Sequence, residues 1–314
     1  MNTCAICLGT DPDDHAARYH RSCLQRLFGT DACPDLDLDL RTLPERVRET
    51  HSRMSVSGAQ RKALLRLSAD RRQLLLPLEE DTTYILKPQT ERWSSLPENE
   101  SLSMRLAALL GMRVPPFGLI ALRDDSWAYI VRRFDRSDDD PPQKRDQWDF
   151  CQLLGRSPEL KEQGSAEDCA RVIKRDIADA SAALRELFLL FLGCYWLGNG
   201  DLHLKNISLL ADDDGQIHLS PVYDIVCTTL YNINAPVLSM AGAVKNLQWS
   251  HFVDFGVNSC GLTRSDALDA LERVRSHEPE ARALIERSFL RNEYKEQYKL
   301  SLRKRSRVLR VPPT

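Results

Sequence analysis

The sequence predicts an α+β protein in two lobes, a small antiparallel-sheet lobe over residues 1–135 and a mainly helical lobe over 136–314. Two observations carry this reading. Between Ser55 and Asp135 short apolar runs are separated by turn residues, as in a sheet. Beyond the acidic, proline-containing SDDDPPQKRD at 137–146, apolar residues recur at spacings of three and four, as in AEDCARVIKRDIADA and SAALRELFLLFLGCYWL. No segment repeats with a period of 20 to 50 residues, which excludes solenoids and propellers.

The first lobe opens with a Cys/His-rich segment, residues 1–33, in which YHRSCLQRLFG has the pattern of an amphipathic helix. Residues 55–135 form the sheet. A glycine turn at SVSGAQRK leads into ALLRL and YILKP, a helical stretch covers Glu98 to Gly111, and FGLIAL and WAYIVRRF flank the polar turn RDDS as a hairpin. In the second lobe one small hairpin, ISLL and IHL around ADDDGQ, interrupts the helices. They resume near Arg264, where Ser265 is the expected cap, and run to the basic LRKRSRVLR.

Composition narrows the function classes. A chain of 314 residues with 42% apolar content can fill real cores, and a net charge of −2 gives no global attraction to nucleic acid or anionic membrane. The opening MNTCAICLGTDPDD has no basic region followed by an apolar stretch, so a cytoplasmic location with no membrane association is expected. The longest apolar run, Leu187 to Leu197, is about half a bilayer span and is expected to be a buried core helix. Cys151, Cys169, Cys194, Cys227 and Cys260 lack a framework spacing and are expected as reduced core thiols.

Four segments could carry chemistry. In GNGDLHLKN, residues 198–206, Asp201 and Asn206 have the D-x-x-x-x-N spacing of a protein-kinase catalytic loop, with His203 between them. In such loops the aspartate accepts the substrate hydroxyl proton and the asparagine holds magnesium. The same residues could be a helix C-cap followed by an ordinary turn. In SPVYDIV, Asp224 lies 23 positions after Asp201 with the small hairpin between them, an order that would return the second aspartate to a Mg²⁺ between ATP phosphates. On its own it would be a turn former. Lys87 ends the strand TTYILKP in an apolar setting that calls for a partner, and Glu100 on the next helix is the candidate; a solvated strand-end lysine is the alternative. Finally, Gly58 in SVSGAQRK could let backbone N–H groups cradle phosphates, or could simply join strands.

Together SVSGAQRK, ILKP, PENE, VRRFDR, DFCQLLG, GNGDLHLKN and SPVYD occur in the order and approximate spacing of the HipA-like serine/threonine kinases, from about Ser55 to Val226. The resemblance implies a two-lobed protein-kinase-like fold that uses ATP and Mg. It implies the toxin of a HipBA- or HipBST-like toxin–antitoxin system, phosphorylating a serine of an aminoacyl-tRNA synthetase and restrained by a HipB-like helix-turn-helix antitoxin. Carried over by position, the nucleotide loop falls on Ser57, Gly58, Ala59, Gln60, Arg61 and Lys62, the phosphate lysine on Lys87 with Glu100, and the adenine hinge on Arg132, Arg133 and Phe134. The catalytic loop falls on Asp201, His203 and Asn206 and the metal ligand on Asp224; Ser55 and Ser57 are candidates for an inhibitory autophosphorylation. With 54 residues before Ser55, the chain looks similar to a short HipT-like branch, whose missing subdomain would be a separate HipS-like partner. A lipid or small-molecule kinase of the same fold, or an inactive regulatory module, are the alternatives. The intact Lys87, Asp201, Asn206 and Asp224 argue against the last.

Two features lie outside that pattern. Cys4, Cys7, His20 and Cys23 have the ligand types and paired spacing of a small zinc site, with Cys33 and His15 as spare candidates; the alternative is that they pack the amphipathic helix against the sheet. The seven Lys or Arg residues from Lys295 to Arg310 are expected as a solvated helix face and frayed tail, with phosphate contact to operator DNA alongside an antitoxin as the second reading; DNA is otherwise expected to be met only indirectly, through the antitoxin.

Overall fold

A computed structural model of the protein describes residues 3–11, 18–49, 62–77, 81–137, 139, 141–234 and 236–312. The chain packs as two units, Met1–Leu102 with Pro115–Lys144 and Glu286–Arg291, and Ser103–Val114 with Arg145–Ile285 and Asn292–Thr314. The boundary expected at 135/136 therefore falls at 144/145. The described residues on either side of the proline-containing stretch pair with one another: Arg136 bridges Lys144, and Ser137 and Gln143 exchange hydrogen bonds of 2.9 Å.

The first unit begins with α1 (Arg21–Phe28) and α2 (Leu43–Glu49), followed by β1 (Ala63–Leu67), β2 (Leu74–Leu75), β3 (Tyr84–Pro88), the start of α3 (Leu96–Leu109), β4 (Phe117–Ala121) and β5 (Trp127–Arg132). The strands form one antiparallel sheet in the order β2-β1-β3-β5-β4, which includes the expected hairpin. Alternation along β3 divides its work. Tyr84 and Leu86 join Ala63, Leu65, Ala128 and Ile130 in a core closed by Leu24, Leu27 and Phe28 of α1 and by Val47 of α2, while Lys87 emerges on the opposite face. The N-terminal segment adds to the β4 edge, where Leu119 N–H donates to the Ala5 carbonyl at 3.0 Å.

In the second unit β6 (Gln147–Asp149) leads into α4 (Phe150–Leu153), α5 (Ala166–Asp176) and α6 (Ala180–Leu197); the hairpin β7 (Ser208–Ala211) and β8 (Ile217–Leu219) precedes α7 (Trp249–Asn258) and α8 (Arg264–Ser276). Then come α9 (Glu278–Arg287), whose end belongs to the first unit, and α10 (Asn292–Val308). The expected hairpin is present, and β6 extends it to the order β6-β7-β8. Its three residues are too few to show a period in the sequence. Among the described residues α6 is long and apolar enough to cross a bilayer, and 61% of it is buried inside the protein. The cap of α8 is Thr263, not Ser265: its side chain accepts from Asp266 N–H, and the Asp266 carboxylate accepts from Thr263 N–H. The basic C-terminal stretch is helical to Val308 rather than frayed, because Tyr298 and Leu302 are buried and Trp196 Nε1 donates to Ser306 Oγ at 2.9 Å.

Candidate active site

In the second unit α6 ends at Gly198, with φ +77°. A Cβ there would stand 2.8 Å from Thr229 Oγ1 and 3.1 Å from Cys227 Sγ, so only glycine fits this turn. The cap reading of GNGDLHLKN is met at Gly198, and Asp201 and Asn206 follow it in the same stretch. Buried Asn199 accepts the Asp201 N–H at 2.9 Å, Gly200 N–H donates to Thr228 Oγ1 at 2.8 Å, and the Asn206 side-chain amide donates to the Asp201 carbonyl at 3.1 Å. The backbone is fixed on both sides of Asp201. Its side chain reaches the surface, yet the surrounding protein displaces enough water that desolvation raises its pKa; His203 and Lys161 oppose that rise and Asp224 reinforces it. His203 is buried and held neutral at pH 7, chiefly by desolvation, against the pull of Asp201. Its Nδ1 has no hydrogen-bond partner among the described residues.

Asp224 follows the β7–β8 hairpin with φ +62°, a left-handed backbone that a non-glycine residue adopts at a cost. Tyr223 fixes it. The Tyr223 hydroxyl donates to the Lys205 carbonyl at 2.8 Å, so the 2.6 Å contact with Ser208 Oγ runs from serine to tyrosine, and Gln147 Nε2 donates to Ser208 Oγ at 3.0 Å. This relay ties the Asp224 turn to the residues around Asn206. Sequence reasoning missed Gln147, Ser208, Tyr223 and Lys161; the available signal was Tyr223 beside Asp224 and Ser208 two places after Asn206. Asn206 commits its nitrogen to the Asp201 carbonyl, so its oxygen is what it can present to a cation. With the Asp224 and Asp201 carboxylates nearby, the donor set is all oxygen and fits a hard cation such as Mg²⁺.

In the first unit Lys87 Nζ lies 2.6 Å from Glu100 Oε1, with the side chains 12% and 1% exposed. The ammonium also stands 5.7 Å from the ring centre of Tyr129, its cross-strand partner. The lysine is therefore not a solvated strand end. Lys62, just before β1, is half-buried; Ser55, Ser57, Gly58, Ala59, Gln60 and Arg61 lie outside the described residues. Of the hinge residues, Arg132 N–H donates to the Pro116 carbonyl and Arg133 N–H to the Thr83 carbonyl, each at 2.8 Å. The Arg133 guanidinium is bidentate on Asp135 at 2.9 and 2.6 Å and also reaches Thr82. Burial works against the Asp135 charge, but Arg133 and Arg136 outweigh it and hold its pKa down. The Arg133 side chain is thus a strut of the sheet end, and Phe134 follows it outside β5.

Residues 54–281 match the family model of the HipA-like C-terminal domain. The chain belongs to that family. Y4mE of Sinorhizobium fredii is 35% identical over 195 residues, which cover 60% of this chain and 46% of that protein. The serine/threonine-protein kinase toxin HipA of Shewanella oneidensis is 28% identical over 275 residues, 77% of this chain and 59% of that one. The chain spans about half the length of the curated relatives it matches. A structure of Shewanella oneidensis HipA, solved with HipB and operator DNA, superposes with a TM-score of 0.69 over 88% of this chain and 74% of that one at 22% identity. The likeness supports the kinase-like α+β fold expected from the sequence.

Proposed function

We propose that the protein is an ATP-dependent serine/threonine protein kinase acting as the toxin of a HipBA- or HipBST-like system. The observation that carries this reading is the loop around Asp201: a backbone fixed on both sides presents a desolvated carboxylate within electrostatic reach of a second aspartate in a strained turn. Asp201 would take the proton of the incoming serine hydroxyl as its oxygen bonds to phosphorus. Its raised pKa brings its basicity closer to that task. Neutral His203 packs beside it without adding a positive charge that would weaken the base. Asn206 and Asp224 would hold magnesium, which when bound neutralises phosphate charge. Lys87, oriented by Glu100, would meet phosphate oxygens, and the loop from Ser57 to Lys62 would cover them. The hinge from Arg132 to Phe134 would border the adenine.

The finer reading is a translation-blocking kinase whose target is an aminoacyl-tRNA synthetase, with a HipB-like antitoxin through which DNA is met and a HipS-like protein as second partner. Its support is family membership and the HipB and operator DNA present with the Shewanella HipA. Autophosphorylation on Ser55 or Ser57 would place about −1.5 to −2 charges beside the ATP phosphates and repel them. Labelled ATP with Mg²⁺ and a cell lysate tests the whole reading. Protein-bound phosphoserine and a modified loop are expected, both lost in Asp201→Asn; label in lipid or small molecules, or activity surviving that substitution, refutes it.

A further inference from the structure

Four side chains far from this chemistry in sequence converge in the first unit. The ligand atoms of Cys4, Cys7, His20 and Cys23 all lie within 4.8 Å of one another. Tetrahedral Zn²⁺ with bonds of about 2.3 Å to sulfur and 2.0 Å to nitrogen requires donors roughly 3.5–3.8 Å apart. His20 Nδ1 is 3.2 Å from Cys7 Sγ and 3.7 Å from Cys23 Sγ, so the group needs only small adjustments to close on an ion. Cys33 does not join it, since its thiol turns to the Pro34 carbonyl, and His15 lies outside the described residues.

The histidine orientation is the second, independent observation. His20 Nε2 lies 3.2 Å from the Thr10 carbonyl, an acceptor only, so Nε2 carries the proton and Nδ1 turns its lone pair towards the sulfurs. His20 precedes α1 in the capping position but makes no side-chain capping bond; the ring is used elsewhere. Backbone donors also face the sulfurs, Gly9 N–H to Cys7 at 3.3 Å and His20 N–H to Cys4 at 3.4 Å, an arrangement that suits thiolates. The turn carrying the first pair is closed by Cys4 N–H to the Gly9 carbonyl at 2.9 Å, with Leu8 at φ +61°. A Cβ at Gly9 would stand 3.1 Å from His20 Cε1 and 3.2 Å from Cys7 Sγ, so this turn lies directly against the ring.

We propose that Cys4, Cys7, His20 and Cys23 bind one Zn²⁺ as a closed, structural site. Three thiols would surrender their protons to solvent on binding, leaving three thiolates and one imidazole on the ion. Cys4 is fully buried and the other three are partly so, and with four protein donors no coordination position is left for substrate. The ion would clamp the segment carrying Ala5 and Ile6, which adds to the β4 edge and fills the core, to the first turn of α1. It would serve the sheet rather than phosphotransfer.

The test uses the full chain purified in reductant. Elemental analysis after zinc reconstitution and desalting should give about one equivalent, and Co²⁺ added to chelator-stripped protein should give the thiolate charge-transfer and ligand-field bands of a tetrahedral site. Cys23→Ser should lower zinc to less than about a tenth of an equivalent while Cys33→Ser retains it. Retention by Cys23→Ser, or absence of tetrahedral Co²⁺ bands in the unaltered chain, overturns the proposal. If Cys23→Ser fails to fold, the Co²⁺ titration of the unaltered chain decides alone. Metal content is read without ATP, so failure here leaves the kinase reading untouched.

Discussion

Replacing Glu100 by glutamine removes one charge from the Lys87 pair while keeping its shape. Two unit charges 2.6 Å apart attract by about 6 kcal/mol at an effective dielectric of 20, and desolvation of both ions offsets much of it. Removing only the carboxylate leaves an ammonium that is 12% exposed without its counter-charge, in a class of change that costs about 3–5 kcal/mol. The Tyr129 ring at 5.7 Å keeps part of the stabilisation, which puts Glu100→Gln at the lower end, about 3 kcal/mol. At about 2–4 °C per kcal/mol for a chain of this size, the melting temperature should fall by about 6–12 °C. Lys87→Met with Glu100→Gln should cost less than the two singles summed, because the stranded charge is gone. Denaturant unfolding of the four proteins gives the coupling directly, and about 2 kcal/mol or more is expected. A coupling within about 0.5 kcal/mol of zero would show that the contact does not hold Lys87 in place.

Asp201→Asn should lose at least about a hundredfold in phosphotransfer rate. Its melting temperature should be unchanged or higher, since a carboxylate whose pKa is raised in the fold destabilises the neutral-pH state; a large fall in stability would make the residue structural. The acid limb of the rate profile should lie above the ordinary carboxylate value of 3.8, because activity needs the ionised form; a limb at or below that value refutes the assignment. His203 acts on stability with the opposite sign. Its pKa is lowered in the fold, so its contribution is present above 6.5 and is lost as pH falls below it, and His203→Gln should flatten that part of a melting-temperature profile. Asp224→Gly should relieve the left-handed backbone, gaining about 1 kcal/mol of stability while weakening Mg²⁺-dependent nucleotide binding; loss of stability on calorimetry would contradict the strain.

Much of the sheet and of the helical unit was legible because their signals are local. The alternation in YILKP, the turn between FGLIAL and WAYIVRRF, and the apolar run of α6 each lie within one element. The pair Lys87–Glu100 was legible for a related reason: Lys87 ends an apolar strand where a lone charge would be costly, and Glu100 lies 13 residues on, in the next helix. What the sequence concealed is tertiary. β6 is three residues whose strand character comes from pairing with β7, and Ser137 meets Gln143 across six positions of polar, proline-containing sequence that carries no periodic signal. Arg133 looked like a ligand residue by position, and only the structure places Asp135 and Thr82 around its guanidinium. Tyr223 and Ser208 are ordinary residue types whose importance lies in one hydrogen bond across a hairpin.

The Asp201 and Asp224 turns concentrate costs that the rest of the second unit avoids. A carboxylate is desolvated enough to raise its pKa, a second carboxylate adds like-charge repulsion, and the second sits where φ +62° would suit glycine. Selection for stability alone would favour a neutral side chain at 201 and a glycine-like backbone at 224. The surrounding relay from Gln147 through Ser208 and Tyr223 to Lys205 does not reduce any of these costs. It holds the chain in the costly arrangement. A divalent cation among the oxygens would convert the repulsion into shared attraction, and a transferring phosphoryl group would give the desolvated base its use. The same balance explains why the Asp224→Gly and Asp201→Asn proteins should be at least as stable as the parent and yet inactive. On the proposed reading, function and stability are set against each other at these two residues.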